Sequence, residues 1–324
     1  TLPAFELRRA GTVAQAVDWL AATPEARPIA GGTDLLVNLR HGVGAPRVLV
    51  DVSGLPGFDA IDIDGSRARL GAGVTIAALA RDPRIAALAP AIAQAAASVA
   101  GPAHRSVATL GGNLCVDTRC VYFNQSEWWR RSNGYCLKRG GDTCHVAPQG
   151  GRCHAAYAGD LAAALIACGA QVEVAGPDGV RTLALEDLYR DDGLAHLALE
   201  GGDLVTAVLV PPQPRGSRSG YRKARIRGAI DFPLAGVAAR LALEGGRVAT
   251  LDVALTGTNS RPFPLAGTDE LRGHAVDELL LAALGKAVQK QASPMRTTLT
   301  QANWRRQVAV AMAQRLVREL AEAS

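Results

Sequence analysis

The chain has 324 residues, of which 48% are hydrophobic and 20% are charged, and its formal net charge is +5. This length allows two or three domains with cores of their own, and the dispersed, mild positive charge excludes a nucleic-acid-binding stripe. No run of about 18 apolar residues is present to span a membrane, and residues 1–3 lack the start of an export signal. We therefore expect a cytoplasmic protein without a nucleic-acid or membrane partner.

The first elements form a small α/β unit. Helical spacing predicts a helix over 12–22 with Thr12 as its N-cap. A short apolar segment then leads into AGGTDLL, where Gly31 and Gly32 let the backbone approach a ligand and point successive N–H groups outward. Such a loop can cradle phosphate, although Gly-Gly-Thr-Asp is also a good tight turn. A buried strand over 47–52 ends this unit.

A larger region with a second glycine element follows. Alternating residues over 58–76 predict a hairpin that turns at Asp64-Gly65. Residues 76–100 have a helical pattern interrupted by Asp82-Pro83. The motif TLGGN then occupies 109–113. Two Gly-Gly elements favour a long, phosphate-bearing cofactor that is held at two points.

The later elements lie on both sides of a linker. The segment 211–220 is rich in Pro, Gly, Ser and Arg, which is typical of linkers. The closing segment, 302–322, is predicted to be a helix with one core-facing side. That side carries Trp304, Val308, Met312 and Leu316. Strands are expected at 170–174, 180–184, 204–210, 235–243 and 247–256.

The segment 115–153 interrupts this smooth pattern. It holds five of the six cysteines of the chain, the pair Trp128-Trp129 and several basic residues. Six cysteines are too few for a disulfide scaffold in a chain of this length. Clustered cysteines in a cytoplasmic protein bind metal or do redox chemistry more often than they form bridges. The segment therefore indicates an inserted functional loop.

Three motifs in order give the chain a resemblance to a known family. They are AGGTDLL at 30–36, TLGGNL at 109–114, and Tyr221-Arg222-Lys223 followed by Arg227 and Asp231-Phe232-Pro233. Over nearly its whole length the chain resembles the flavoprotein subunits of the molybdenum hydroxylases, the family of xanthine dehydrogenase and carbon monoxide dehydrogenase. The resemblance implies an α+β fold with FAD between two parts of its first domain. These parts are a small βαβ unit (1–54) and a larger mixed-sheet subdomain (55–213), and a C-terminal sheet-plus-helices domain (214–324) follows.

The resemblance also implies which residues bind FAD. Residues 29–36 would wrap the pyrophosphate, 109–113 would lie beside the flavin, and Lys223 would approach the isoalloxazine. Asp160 has an alternative role as the N-cap of the following helix, and Lys223 as a solvated strand lysine. The implied FAD-binding residues are Ile29, Ala30, Gly31, Gly32, Thr33, Asp34, Leu35, Leu36, Thr109, Leu110, Gly111, Gly112, Asn113, Asp160, Val205 and Lys223.

An insertion at about 117–158 separates this chain from ordinary members of the family. In this respect it resembles one branch, the β subunits of 4-hydroxybenzoyl-CoA reductases, which carry a [4Fe-4S] cluster besides FAD. Four thiolates are the usual complement of such a cluster. Trp128 and Trp129 are expected to shield it from water. Its expected ligands are Cys120, Cys136, Cys144 and Cys153, and the cations expected to offset its charge are Arg130, Arg131, Lys138, Arg139 and Arg152.

Other uses of these residues stay open. Cys115 directly follows Gly-Gly-Asn-Leu and is interpreted as a core residue, but it is the main rival ligand. Cys168 lies in an Ala/Leu helix and is interpreted as a buried small hydrophobe. His145 and His154 each follow a chosen cysteine and could replace it. A structural zinc site on the same four cysteines and a pair of disulfides are the rival arrangements.

The implied function is electron transfer, because no Ser–His–Asp arrangement, metallohydrolase motif or paired-carboxylate pattern stands out. By resemblance, a ferredoxin would supply electrons through [4Fe-4S] and FAD to a small [2Fe-2S] subunit and a large molybdenum-cofactor subunit, which forms benzoyl-CoA. The complex would be a dimer of heterotrimers. One alternative is the FAD subunit of another molybdenum hydroxylase that passes electrons out to an acceptor, with zinc or a degenerate cluster in the insertion. Another is a scaffold protein with a zinc-stapled loop.

Overall fold

The chain folds into an α+β structure built on three β-sheets, which confirms the predicted fold class. The computed structural model describes residues 2–297 and 300–323. One large core joins the first two sheets with their helices, and a second core fills the C-terminal part. No helix in the described part of the chain combines the length and apolar character that a bilayer crossing needs.

The N-terminal unit is a small parallel sheet. Its elements are β1 (Glu6–Arg9), α1 (Val13–Ala22), β2 (Arg27–Ile29), α2 (Leu35–Arg40) and β3 (Val48–Asp51). The strands lie in the order β1-β3-β2 and both pairings are parallel. Helix α1 begins as predicted, because the Thr12 hydroxyl accepts a hydrogen bond from the Gln15 N–H at 3.2 Å.

The middle unit contains a five-stranded sheet in the order β4-β5-β8-β6-β7. All its recorded pairings are antiparallel, which differs from the expected mixed sheet, because tight hairpins join β4 to β5 and β6 to β7. The predicted helix over 76–100 is three helices, since Pro83 and Pro90 each start a new one. The elements are β4 (Ile61–Asp64), β5 (Arg67–Gly71), α3 (Ile76–Arg81), α4 (Pro83–Leu88), α5 (Pro90–Ser98), α6 (Pro102–Arg105), α7 (Leu110–Leu114), α8 (Glu127–Ser132), α9 (Leu161–Ala167), β6 (Gln171–Gly176), β7 (Gly179–Ala184) and β8 (Leu204–Val210).

The C-terminal unit is an antiparallel sheet, ordered β12-β11-β10-β9, with helices on both sides. Helices α5 and α9 pack against one face, and α10 and α11 cover the other. The sheet begins at Arg218, inside the predicted linker. The elements are β9 (Arg218–Ala224), β10 (Ala235–Glu244), β11 (Arg247–Thr256), β12 (Phe263–Pro264), α10 (Glu278–Gln291) and α11 (Ala302–Glu322).

The buried stripe of α11 differs from the predicted one. Trp304 is 44% exposed, so its assignment to the core is wrong. The stripe is displaced by about one position because Arg305 takes the inward place and donates hydrogen bonds to the carbonyls of Leu234, Met295 and Gly257. The buried residues of the helix are Arg305, Ala309, Ala313, Leu316 and Val317.

Candidate functional site

The first glycine element lies between β2 and α2 and touches the loop before the second one. A Cβ added to Gly31 would lie 1.9 Å from the Val107 carbonyl oxygen, so only glycine fits there. Gly32 has φ +66°, a left-handed conformation that glycine adopts without strain. The fold therefore brings residues 29–36 and 109–113 to adjacent places.

The second glycine element forms the short helix α7. The Thr109 hydroxyl caps it by accepting a hydrogen bond from the Gly112 N–H at 3.2 Å. Gly111 packs on the end of β5, where an added Cβ would lie 2.9 Å from the Cβ of Ala72. The Asn113 side chain accepts a hydrogen bond from the Leu161 N–H at 3.1 Å, which ties α7 to the start of α9. The backbone of this element is thus fixed from three sides.

Asp160 and Lys223 form a buried ion pair beside α7. Their side chains are 4% and 3% exposed, and Lys223 Nζ lies 2.9 Å from Asp160 Oδ2. Lys223 also donates to the Ser98 carbonyl at 3.1 Å, and the Tyr221 hydroxyl donates to Asp160 Oδ1 at 2.7 Å. Burial raises the pKa of Asp160, while Lys223 and Tyr221 oppose that rise.

These contacts bear on the alternative roles of Asp160 as a helix cap and of Lys223 as a solvated lysine. Asp160 makes no capping hydrogen bond to α9, and Lys223 is not solvated. Two other predicted FAD contacts, Leu110 and Val205, have side chains buried in the main core. Any ligand contact by Leu110 or Val205 would therefore use backbone groups.

The insertion brings four distant cysteines to the wall of one small cavity. A loop closes between Cys136 and Cys144, because Leu137 N–H donates to the Thr143 carbonyl at 3.1 Å. An antiparallel bridge between Arg119 and Ala156 brings Cys120 towards Cys153. The cavity is lined by Cys120, Tyr122, Phe123, Cys136, Leu137, Lys138, Cys144, His145 and Cys153.

The thiols in this cavity influence one another. Burial raises the pKa of Cys120, and the nearby Cys136 and Cys144 raise it further against two backbone N–H groups. Burial also raises the pKa of Cys153 to about 11, and the Ala155 N–H and the Lys138 charge oppose that rise. All six cysteines of the chain are free. A cationic centre bound here would therefore displace thiol protons.

The comparisons with known proteins identify the family. Residues 3–213 match the FAD binding domain in molybdopterin dehydrogenase, and residues 219–320 match the CO dehydrogenase flavoprotein C-terminal domain. The chain belongs to this flavoprotein family. It is an FAD subunit of xanthine dehydrogenase/CO dehydrogenase-type oxidoreductases, and the substrate chemistry of these complexes takes place in partner subunits. The resemblance carried by the three motifs is confirmed at this level.

Individual relatives agree along nearly the whole chain. It is 35% identical over 279 residues to the aldehyde oxidoreductase FAD-binding subunit PaoB of Escherichia coli K12, covering 83% of this chain and 86% of PaoB. It is 29% identical over 298 residues to the carbon monoxide dehydrogenase medium chain of Afipia carboxidovorans OM5, covering 90% and 89%. A solved chain of reconstituted CO dehydrogenase from Oligotropha carboxidovorans has a TM-score of 0.82 at 25% identity, with full coverage of both chains.

The cysteines and histidines left out of the expected ligand set lie in different places. Cys115 ends α7 and does not line the cavity, and Cys168 is fully buried at the end of α9. Burial raises the pKa of each to about 12. His145 lines the cavity, but its Nε2 lies 2.5 Å from the Tyr135 carbonyl oxygen. His154 does not line it.

The aromatic residues around the cavity differ from the expectation. Trp128 is 73% exposed, so its predicted shielding role is wrong, because its position on α8 faces outward. Trp129 packs on Tyr122 with ring centroids 5.7 Å apart, and Tyr122 lines the cavity. The immediate shield therefore consists of Tyr122 and Phe123, with Trp129 behind.

Arg119 links the insertion to the first glycine element, and no sequence motif predicts this role. Its guanidinium forms an ion pair with Asp34 and donates to Asn38 Oδ1 at 2.8 Å. Burial lowers the pKa of Arg119 to about 10. Its buried Nε has no hydrogen-bond partner among the described residues. An acceptor group of FAD held by residues 29–36 would fit this free donor.

Proposed function

We propose that this chain holds FAD at the two glycine elements and a [4Fe-4S] cluster in the four-cysteine cavity, and transfers electrons to or from partner subunits. The observation that carries the proposal is the cavity, because Cys120, Cys136, Cys144 and Cys153 all line it. When bound, the cluster supplies one-electron transfer and FAD joins one-electron to two-electron transfer. The division of the chain at residues 54 and 213 and its cytoplasmic location belong to the same proposal.

The redox setting favours a cluster over zinc, because an electron-transfer subunit has a use for a one-electron centre. Four thiolates on one Zn²⁺ converge on a point and lie about 3.8 Å from one another, given tetrahedral bonds of about 2.3 Å. Within residues 2–297 and 300–323, no group of three or more His, Cys, Asp or Glu side chains is placed to hold a metal ion, so the structure itself shows neither centre. A cubane has its four irons at separate corners, so its thiolates surround a volume instead. The four cysteines line one cavity.

The chain's own residues prepare the FAD site. Gly31 lets the first element pack against the Val107 carbonyl, Gly32 supplies its left-handed turn, and the Thr109 cap and Asn113 fix α7. The buried pair of Asp160 and Lys223 fixes the junction of α9 and β9. We propose that residues 29–36 and 109–113, with Asp160, Val205 and Lys223, form this site.

Our first candidate for the complex is a molybdenum-containing reductase of the 4-hydroxybenzoyl-CoA type. The cysteine-bearing insertion supports it, because a low-potential centre suits electron delivery from a ferredoxin towards FAD. A small [2Fe-2S] subunit and a large molybdenum-cofactor subunit would then be the partners, in a dimer of heterotrimers.

A second candidate is an aldehyde-oxidising complex that passes electrons outward. The 35% identity to the FAD-binding subunit of an aldehyde oxidoreductase favours it. The purified complex separates the two candidates. Turnover of 4-hydroxybenzoyl-CoA with reduced ferredoxin supports the first, and aldehyde oxidation with an external acceptor but no such turnover supports the second.

The cofactor proposal itself is tested on the isolated, anaerobically purified subunit. Iron, acid-labile sulfide, zinc and FAD are measured in the same sample. We expect about four irons and four sulfides per FAD. Stoichiometric zinc without sulfide would overturn the cluster, and the absence of flavin after gentle purification would overturn the FAD site.

A further inference from the structure

Lys138 is one of the residues that line the four-cysteine cavity, and its ammonium is buried behind the lining. Its side chain is only 6% exposed, and Nζ lies 4.7 Å from the centre of the Phe123 ring, which also lines the cavity. Nζ donates to Asp117 Oδ1 at 2.6 Å, to the Gly193 carbonyl at 2.9 Å and to the Thr118 hydroxyl. These three oxygen acceptors therefore hold the ammonium in one position.

The other basic residues of the insertion are directed elsewhere. Arg130 is 2% exposed, but it donates to the carbonyls of Phe123 and Gln125 and to the loop at 41–42, and it does not line the cavity. Arg139 is 38% exposed and pairs with Glu127 at 3.6 Å.

Arg152 pairs with Asp191 at 2.9 Å. Among the residues that line the cavity, Lys138 is the one lysine or arginine.

We propose that Lys138 sets the reduction potential of the [4Fe-4S] cluster, an inference that rests on the proposed function above. Reduction adds one negative charge to a centre that four thiolates already make anionic. A buried ammonium stabilises the reduced form more than the oxidised form, because the surroundings screen little of its charge. Lys138 therefore raises the potential. Asp117 partly offsets this effect, and it does so from outside the cavity lining.

A structural role is the competing explanation, since Lys138 also ties the loop between Cys136 and Cys144 to Thr118 and Gly193. The two roles differ in sign. A structural role predicts that loss of either Lys138 or Asp117 loosens the loop, with shifts in the same direction. A charge effect predicts opposite shifts, because the two side chains have opposite charges.

The experiment is an anaerobic redox titration of the holoprotein, followed by electron paramagnetic resonance, on the parent chain and four variants. Lys138→Met should lower the midpoint potential, and Lys138→Arg should recover most of that shift. Asp117→Asn should raise the potential. Arg139→Met is the matched control, since it removes the same charge from the next position, which is exposed. Its shift should be at least about twofold smaller because solvent screens surface charges.

Each outcome decides the inference. Equal shifts in Lys138→Met and Arg139→Met, or shifts of one sign in Lys138→Met and Asp117→Asn, would overturn it. Where Lys138→Met loses its iron, Lys138→Arg and Asp117→Asn decide, and an unchanged or lowered potential in Asp117→Asn overturns it. A parent chain without iron and sulfide would instead show that the proposed function has failed. If the parent chain holds a cluster but the midpoint potential is the same in the parent and in all the variants, this inference alone has failed.

Discussion

The two glycine elements and the four-cysteine insertion are held in different ways. The glycine elements are fixed by close backbone contacts and by the caps of short helices, as when Gly31 meets the Val107 carbonyl. The insertion has little regular structure, and single charged side chains such as Arg119, Arg130 and Lys138 hold it to the rest. The glycine elements are thus fixed along their backbone, and the insertion is fastened at a few points by side chains.

The largest loss of stability is expected when the buried ion pair between Asp160 and Lys223, at the junction of α9 and β9, is broken. Lys223→Met leaves the Asp160 carboxyl buried without its cation, which should cost about 3–5 kcal/mol of unfolding free energy. Chemical denaturation measures this change. Arg318→Met is the control, since it removes an exposed ion pair with Glu278 and should cost less than about 1 kcal/mol. Similar losses in the two variants would contradict the buried-pair account.

A smaller effect is expected at the first glycine element. Gly31→Ala forces a Cβ against the Val107 carbonyl and should cost about 1–3 kcal/mol. It should also lower the FAD content while the iron content stays unchanged. Gly54→Ala is the control, because no atom lies within 4 Å of its added Cβ. If Gly31→Ala lost iron and flavin together, the two regions would not be independent.

The glycine elements could be predicted from sequence because their chemistry is local. Gly31-Gly32 and Gly111-Gly112 are contiguous, and their conformational freedom is visible in the residue types themselves. The four cysteines of the cavity could be chosen from the sequence because they cluster in one segment of the chain. The way in which they meet was not visible, because it depends on the Arg119–Ala156 bridge and on the loop from Cys136 to Cys144.

Long-range side-chain contacts explain the remaining misses. The pairing of Arg119 with Asp34 joins residues 85 positions apart, and nothing near either residue indicates it. The inward place of Arg305 on α11 depends on three carbonyls from other segments, so the apolar pattern alone misplaced the stripe.

Loss of Arg119, which joins the insertion to the first glycine element, should have a moderate effect on FAD affinity. Arg119→Met removes the ion pair with Asp34 and the free Nε donor, and we expect FAD affinity to fall about tenfold, which is about 1.4 kcal/mol. Flavin fluorescence titration measures the affinity. Arg131→Met, an exposed arginine of the same insertion, should leave it unchanged. Unchanged affinity in both variants would show that the insertion does not support the FAD site.

The smallest effect is expected at Trp128. Its side chain is 73% exposed, so Trp128→Ala should change the unfolding free energy by less than about 0.5 kcal/mol and leave the iron content intact. Trp129→Ala should lower the retention of iron in air, since Trp129 packs on the cavity-lining Tyr122. Timed iron release in air compares the two variants, and faster release from Trp128→Ala would reverse this assignment.

The central claim is that the four-cysteine cavity, and not Cys115, holds an iron–sulfur cluster beside a separate FAD site. Iron and flavin contents of Cys136→Ser and Cys115→Ala, purified anaerobically side by side, test it most directly. The account predicts that Cys136→Ser loses its iron and keeps FAD, while Cys115→Ala keeps about four irons per FAD. Full iron in Cys136→Ser, or iron lost from Cys115→Ala alone, would contradict it.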